Sequence, residues 1–234
     1  MSRIERLLLD FYGLIAPKYE KFNGLLTFGL DGLWRKRLCL MAAENTPSLC
    51  LDICTGTGEI PRLLKRSLPG KVKITGLDFS PDMLSKAVER SDAEGICFIL
   101  GNALELPFKD DSFDLVTISL ATRNLYAETG DLKRYFTEFC RALKKGGVFL
   151  HLETSQPENV FMRKLFHMYV RTAIGLINML SPRSKMPYDF LKNSALNFYN
   201  SEELSEILAE SGFKDIEVYK MTFGAVCIHK GVKR

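Results

Sequence analysis

Short apolar runs and amphipathic stretches alternate along most of the chain. Leu49–Ile53 clusters apolar residues as a strand buried on both faces does. Ile60, Leu63, Leu64 and Leu68 follow at helical spacing, and residues 72–77 read as the next strand, stopping on Asp78. Ser80 and Pro81 then suit the N-cap and first position of a helix. Further strands are expected at Ile96–Leu100, Phe113–Ser119 and 148–152. An amphipathic helix over 131–143 is expected to end at Lys144-Lys145-Gly146-Gly147. A helix capped by Ser201 over 202–211 and two strands, 214–221 and 224–229, close the chain. Strands and helices alternate until the last two strands, whose short connection makes the final one antiparallel. This is an α/β chain with a mostly parallel seven-stranded sheet of Rossmann-like type.

The residues between the first two strands carry the chemistry. Gly56 and Gly58 permit a tight turn and a close backbone approach to a ligand, and the helix behind them presents free N–H groups. Asp78, at a strand's carboxyl end, can accept hydrogen bonds from the vicinal hydroxyls of a ribose. A dinucleotide fingerprint needs a third glycine where Pro61 stands. Asp52 just before the turn would repel a pyrophosphate but suits the ammonium group of an amino acid. The pattern therefore favours S-adenosylmethionine, with S-adenosylhomocysteine as product. Met83, in the first turn of the next helix, belongs to the same site. Asn102, after the third strand, is either an adenine-edge contact or a turn-forming Asn.

With 234 residues, 46% hydrophobic and 26% charged, the chain can bury a large core. A net charge of +4 neither demands nor excludes an anionic partner, and no dense basic patch suggests nucleic acid. The six cysteines form no C-x-x-C pair, so they read as reduced core residues of a cytoplasmic protein, with no metal site expected. Residues 1–45 read as an aromatic-rich helical cap or lid on a domain spanning 46–234. Within that domain, 156–199 is too long for a simple connection and is taken as a functional insertion. It is strongly apolar, and Arg163, Lys164, Arg171, Arg183 and Lys185 outnumber its acids. Such a segment can line an apolar pocket, lie on a membrane surface, or pack on a second copy of the chain.

Several motifs in order resemble the ubiquinone/menaquinone biosynthesis C-methyltransferases over nearly the whole length. YEKFNGLLTFGLDGLW is similar to that family's first signature through Tyr19, Asn23 and Trp34. NALELPF and TISLATRN resemble its segments after the third strand and along the fourth. RALKKGGVFLHLETS resembles its second signature, and FGAVCIHKGVK its C-terminus. The resemblance implies that Thr57, Asp78, Asn102, Ala103 and Ser119 contact the cofactor. It also implies that Arg123 and Asn124 face the acceptor, with Tyr19 near it. Thr27 stands where the family usually has Ser, Asp31 where it has His, and Leu120-Ala121-Thr122 where it has Phe-Gly-Leu.

The expected reaction is methylation of a ring carbon of an apolar prenylated quinol. Arg123 would stabilise a developing phenolate and Asn124 would orient the ring oxygen, with Tyr19 completing a lid. Arg is almost always protonated and is not itself a base, while His167 and His229 are weaker base candidates. The other readings are methylation of a different apolar small molecule, or a non-catalytic cofactor-binding scaffold.

Overall fold

The computed structural model describes residues 19–180 and 185–234, together with Leu9 and Gly13. Seven strands form one sheet: β1 (Leu49–Ile53), β2 (Lys73–Asp78), β3 (Ile96–Leu100), β4 (Phe113–Ser119), β5 (Leu143–Thr154), β6 (Phe213–Met221) and β7 (Val226–Lys233). Their order across the sheet is β3-β2-β1-β4-β5-β7-β6. Neighbours from β3 to β5 pair in parallel, and β7 runs against both β5 and β6. The chain reverses its direction of travel across the sheet between β1 and β4. In open α/β sheets, ligands bind in the crevice beyond the carboxyl ends at that point.

Both faces of the central strands are covered, which is why those strands are nearly continuously apolar. On one face Leu51, Ile53, Val116 and Ile118 pack with Phe136 and Phe139 of α6 (Leu132–Ala142) and Leu204 and Leu208 of α9 (Ser201–Glu210). On the other, Cys50, Leu115 and Leu150 meet Leu38 and Met41 of α2 (Leu30–Ala43) and Ile60 and Leu64 of α3 (Glu59–Ser67). The N-terminal α1 (Tyr19–Leu26) leads into α2 through a turn at Thr27–Gly29. Ser80 caps α4 (Pro81–Val88), its Oγ accepting from the Met83 N–H at 3.4 Å.

Four expectations change. The helix before β5 stops at Ala142, and Lys144–Gly147 belong to the strand, opposite a register shift between Phe113 and Leu115. Gly146 takes its positive φ (76°) within that irregular strand start rather than at a helix end. The N-cap of α9 is Asn200, not Ser201: its Oδ1 accepts from the N–H groups of Glu202 and Glu203, and Glu203 returns a bond to the Asn200 N–H. Two good capping residues in succession left the choice to the Glu three positions on, which fits only Asn200. The last strand begins at Val226, because a 3-10 turn, Thr222–Gly224, occupies its expected start. Finally, Cys97 is exposed on β3 rather than a core residue, although all six cysteines are free thiols.

Residues 156–199 carry two helices, α7 (Val160–Leu180) and α8 (Lys185–Leu196). No described helix is long and apolar enough to cross a membrane. Replacing Asn200 with Ala removes the capping box and should lower stability by about 1 kcal/mol. A urea titration should show a lower midpoint with an unchanged slope, and an unchanged midpoint would deny the cap any energetic weight.

Candidate active site

The turn after β1 has three residues in the left-handed region: Cys54 (φ 55°), Gly56 (φ 55°) and Gly58 (φ 77°). The two glycines serve different ends. A Cβ on Gly58 would lie 2.9 Å from Phe98 Cζ and 3.1 Å from Ala87 Cβ, so packing behind the turn demands Gly there. A Cβ on Gly56 would meet nothing within 4 Å, so Gly56 is where the backbone lies open to the crevice. Thr57 between them is buried.

Asp78 ties this turn to the next one. Its Oδ2 accepts from the Gly56 N–H (2.7 Å) and its Oδ1 from the Ser80 N–H (2.9 Å). Burial pushes its pKa up to about 6, and the N–H groups of Ser80, Gly56 and Phe79 oppose that rise. The carboxylate keeps lone-pair capacity for a ligand hydroxyl. Asp52 lies deeper, 1% exposed, with its Oδ1 accepting from Thr117 Oγ1 of β4 at 2.7 Å. Burial lifts its carboxyl to about 7, against the Thr117 hydroxyl and the positive charge of Arg35.

The remaining cofactor-side residues stand along the same edge of the sheet. Met83 is buried on α4, and Ala103 is buried beyond β3. Asn102 forms a turn after β3, its Oδ1 accepting from the Leu104 N–H at 2.8 Å. Ser119 ends β4, and its buried Oγ has no partner among the described residues. An open glycine backbone, a strand-end acid with spare lone pairs and an orphaned hydroxyl fit a nucleoside carrying an amino-acid tail.

Four residues on from Ser119 the chemistry changes. Arg123 and Asn124 lie in the first turn of α5 (Thr122–Thr129), a helix that the sequence reading missed because its N-cap is Ala121 and makes no side-chain cap. Glu153, 1% exposed at the end of β5, receives Arg123 Nε (2.9 Å) and the Arg123 backbone N–H (3.3 Å). The terminal Arg123 nitrogens have no partner among the described residues, and Arg123 and Asn124 both line a cavity of about 580 Å³. Beneath them Thr122 Oγ1 lies 2.8 Å from Nε2 of buried His151.

The cavity is mostly apolar. Its walls come from three distant segments: Leu26, Phe28 and Trp34 near the α1–α2 turn, Met162, Phe166, Tyr169 and Ala173 of α7, and Thr222 and Phe223 of the 3-10 turn. Trp34 Nε1 donates to Thr222 Oγ1 (3.0 Å), and the Tyr169 hydroxyl donates to the Leu26 carbonyl. The Phe28 and Tyr169 rings meet at 5.8 Å. Positions 162, 166, 169 and 173 recur at helical spacing, a signal that could have marked the α7 lining in the sequence. Glu153 gave no such signal as an ion-pair partner, because it lies 30 residues from Arg123.

Tyr19 opens α1, and its side chain lies outside the described residues. Neither histidine candidate reaches the cavity. His229 is fully buried and its Nε2 donates to the Ser201 carbonyl (3.0 Å), while His167 pairs with Gln156 beside a separate recess between α7 and α8.

Residues 3–233 match the model of the ubiE/COQ5 methyltransferase family. The chain is 34% identical over 220 residues to a demethylmenaquinone methyltransferase of Staphylococcus aureus strain JH9, covering 94% of this chain and 90% of that one. Among solved structures it is similar to a SAM-dependent methyltransferase from Thermotoga maritima, with a TM-score of 0.65 at 20% identity, covering 97% and 100% of the two chains. It is also similar to phosphoethanolamine N-methyltransferase 2 of Haemonchus contortus, with a TM-score of 0.60 at 20% identity, covering 83% and 52%. The structural likenesses carry the fold.

The buried carboxyls make stability depend on pH. The folded chain holds the Asp52 proton more tightly than the unfolded chain, whose group titrates near 3.8. The contribution is complete below 3.8 and is lost as pH rises past about 7. Asp52→Asn should therefore flatten the fall in unfolding free energy across that window. Parallel wild-type and variant curves would place the ionisation elsewhere.

Proposed function

The chain belongs to the ubiE/COQ5 methyltransferase family, and we propose that it transfers a methyl group from S-adenosylmethionine to a ring carbon of a prenylated quinol. One observation carries the acceptor class: a large apolar cavity whose polar floor is Arg123 and Asn124, directly joined to the nucleoside cradle through Ser119 and Leu120. The name of the Staphylococcus aureus relative supports a demethylmenaquinol-like ring.

In this reading Gly56, Thr57, Gly58, Asp78, Met83, Asn102, Ala103 and Ser119 hold the donor, and Asp52 supports the turn from below. Bound there, S-adenosylmethionine supplies an electrophilic methyl group. The chain's own part is to place a ring carbon in line with it and to exclude bulk water. A quinol carbon becomes nucleophilic once the adjacent hydroxyl has lost its proton to water and charge spreads onto the ring. Arg123, held by Glu153 so that its terminal N–H groups face the cavity, stabilises that charge, and Asn124 orients the ring oxygen. The ring carbon then sheds its own proton to restore aromaticity. In this reading the described residues 19–45 cap the site on a transferase domain spanning 46–234 with 156–199 inserted, while most of 1–18 and the Tyr19 side chain, expected in the lid, lie outside the described residues.

α7 also has a face turned away from the cavity. Phe161, Met168, Leu176 and Met179 are exposed there, Lys164 and Arg171 flank them, and the helix carries no acid. That combination suits peripheral contact with an anionic bilayer, which would put the cavity beside the prenyl tail's own solvent.

Incubation with methyl-labelled S-adenosylmethionine and a 2-prenyl-1,4-naphthoquinol should yield label on the ring. Arg123→Ala should lower turnover about 100-fold or more with unchanged donor affinity. Near-normal turnover in that variant would remove Arg123 from the mechanism. The wild type should sediment with phosphatidylglycerol vesicles, and Phe161→Glu with Met168→Glu should release it. A dimer in gel filtration that ignores vesicles would give the face to a second copy instead.

A further inference from the structure

A buried ionic chain links the wall of the apolar cavity to the glycine turn of the donor site. Thr27, which lines the cavity, donates its hydroxyl to Asp31 Oδ1 at 2.7 Å. The other oxygen of Asp31 pairs with Nη1 of Arg35, one turn further along α2. The same Nη1 lies 2.9 Å from Glu59 Oε2. Glu59 is the first residue of α3, directly after Gly58. Asp31 and Arg35 are both buried, at 6% and 4% exposure, so water does little to screen this chain.

The charges offer little stability of their own, since desolvation offsets most of the attraction in a buried ion pair. Their effect is geometric. A guanidinium shared between two carboxylates holds both at fixed separation, so a shift at Glu59 is felt at Asp31 and at Thr27. Breaking the chain at Arg35 would leave Asp31 as an uncompensated buried charge and free the α1–α2 turn from the glycine turn.

We propose that Arg35 is a positioning residue that couples the donor turn to the acceptor wall, so that filling the donor site organises the cavity. This rests on the reading of the cavity as the acceptor site. Coupling between two sites is reciprocal in binding free energy. A bound quinol would therefore tighten the donor site by the same factor by which a bound donor tightens the quinol.

Trp34 gives a test that needs no acceptor. It is the chain's single tryptophan, it lines the cavity, and its neighbour in sequence is Arg35. S-adenosylhomocysteine is titrated into the full chain while Trp34 emission is followed, with calorimetry recording binding independently. The wild type should show an emission change that saturates with binding. Arg35→Met should still bind in the calorimeter but leave the emission unchanged, and Arg35→Lys, which keeps the charge, should restore the response. In steady-state assays at saturating donor, Arg35→Met should raise the acceptor KM about 5-fold or more with a smaller effect on kcat.

Binding without an emission change in the wild type would overturn the proposal, as would a full emission response in Arg35→Met. If Arg35→Met loses its fold or its donor site, Glu59→Gln carries the same test from the half-buried end of the chain, with the same two outcomes. An intact Trp34 response with no methylation of any quinol would instead overturn the acceptor assignment and leave the coupling standing.

Discussion

Two backbone N–H groups, on Gly56 and Ser80, converge on one carboxylate, Asp78. Each belongs to a different loop, and the shared carboxylate ties the two together. The acid can do this because it is buried, where a hydrogen bond to charge is strong and an unmet N–H is costly. The cost of that burial is visible in the raised proton affinity of both Asp78 and Asp52. A nucleoside entering the crevice therefore meets a preformed edge. The backbone at Gly56 is already open, the strand-end acid already oriented, and the helix behind Gly58 already docked on Phe98.

The glycine turn and its strand-end acid were legible in the sequence because their parts are local. Gly56, Gly58 and Asp78 lie within one strand–turn–helix–strand unit, and each residue type is the one its backbone position requires. Ser80 and Pro81 announced their helix for the same reason. The apolar cavity was not legible as a site, because its walls come from α1–α2, α7 and the 3-10 turn before β7. No spacing rule connects Phe28, Tyr169 and Phe223, and only the folded sheet brings them together. Arg123 and Asn124 were found through resemblance to a family segment, whereas Glu153, which orients Arg123, was visible only as a motif match. The boundary errors have local causes. A Lys-Lys-Gly-Gly run serves a helix end and an irregular strand start equally well, and adjacent Asn and Ser compete for one cap.

α7 presents apolar residues on two faces. Met162, Phe166, Tyr169 and Ala173 face the cavity, and the outward residues, with the cations beside them, face away from the protein. A purely hydrophobic reading of the insertion could not separate these faces, because both are apolar. Only the placement of Lys164 and Arg171 breaks the symmetry.

Leu120 occupies the left-handed region at φ 56°, a conformation a branched side chain adopts only under constraint, and its N–H is fixed to the Leu152 carbonyl at 2.8 Å. It stands on the short covalent bridge from Ser119 to Arg123. The separation between the backbone positions that carry the orphaned hydroxyl and the guanidinium is thus set by bond lengths and one held kink, not by side chains that can repack. The cavity walls, by contrast, are supplied from far along the chain. Their residues can be exchanged, and the volume they enclose reshaped for another ring or tail, without altering the gauge at which the two halves face each other.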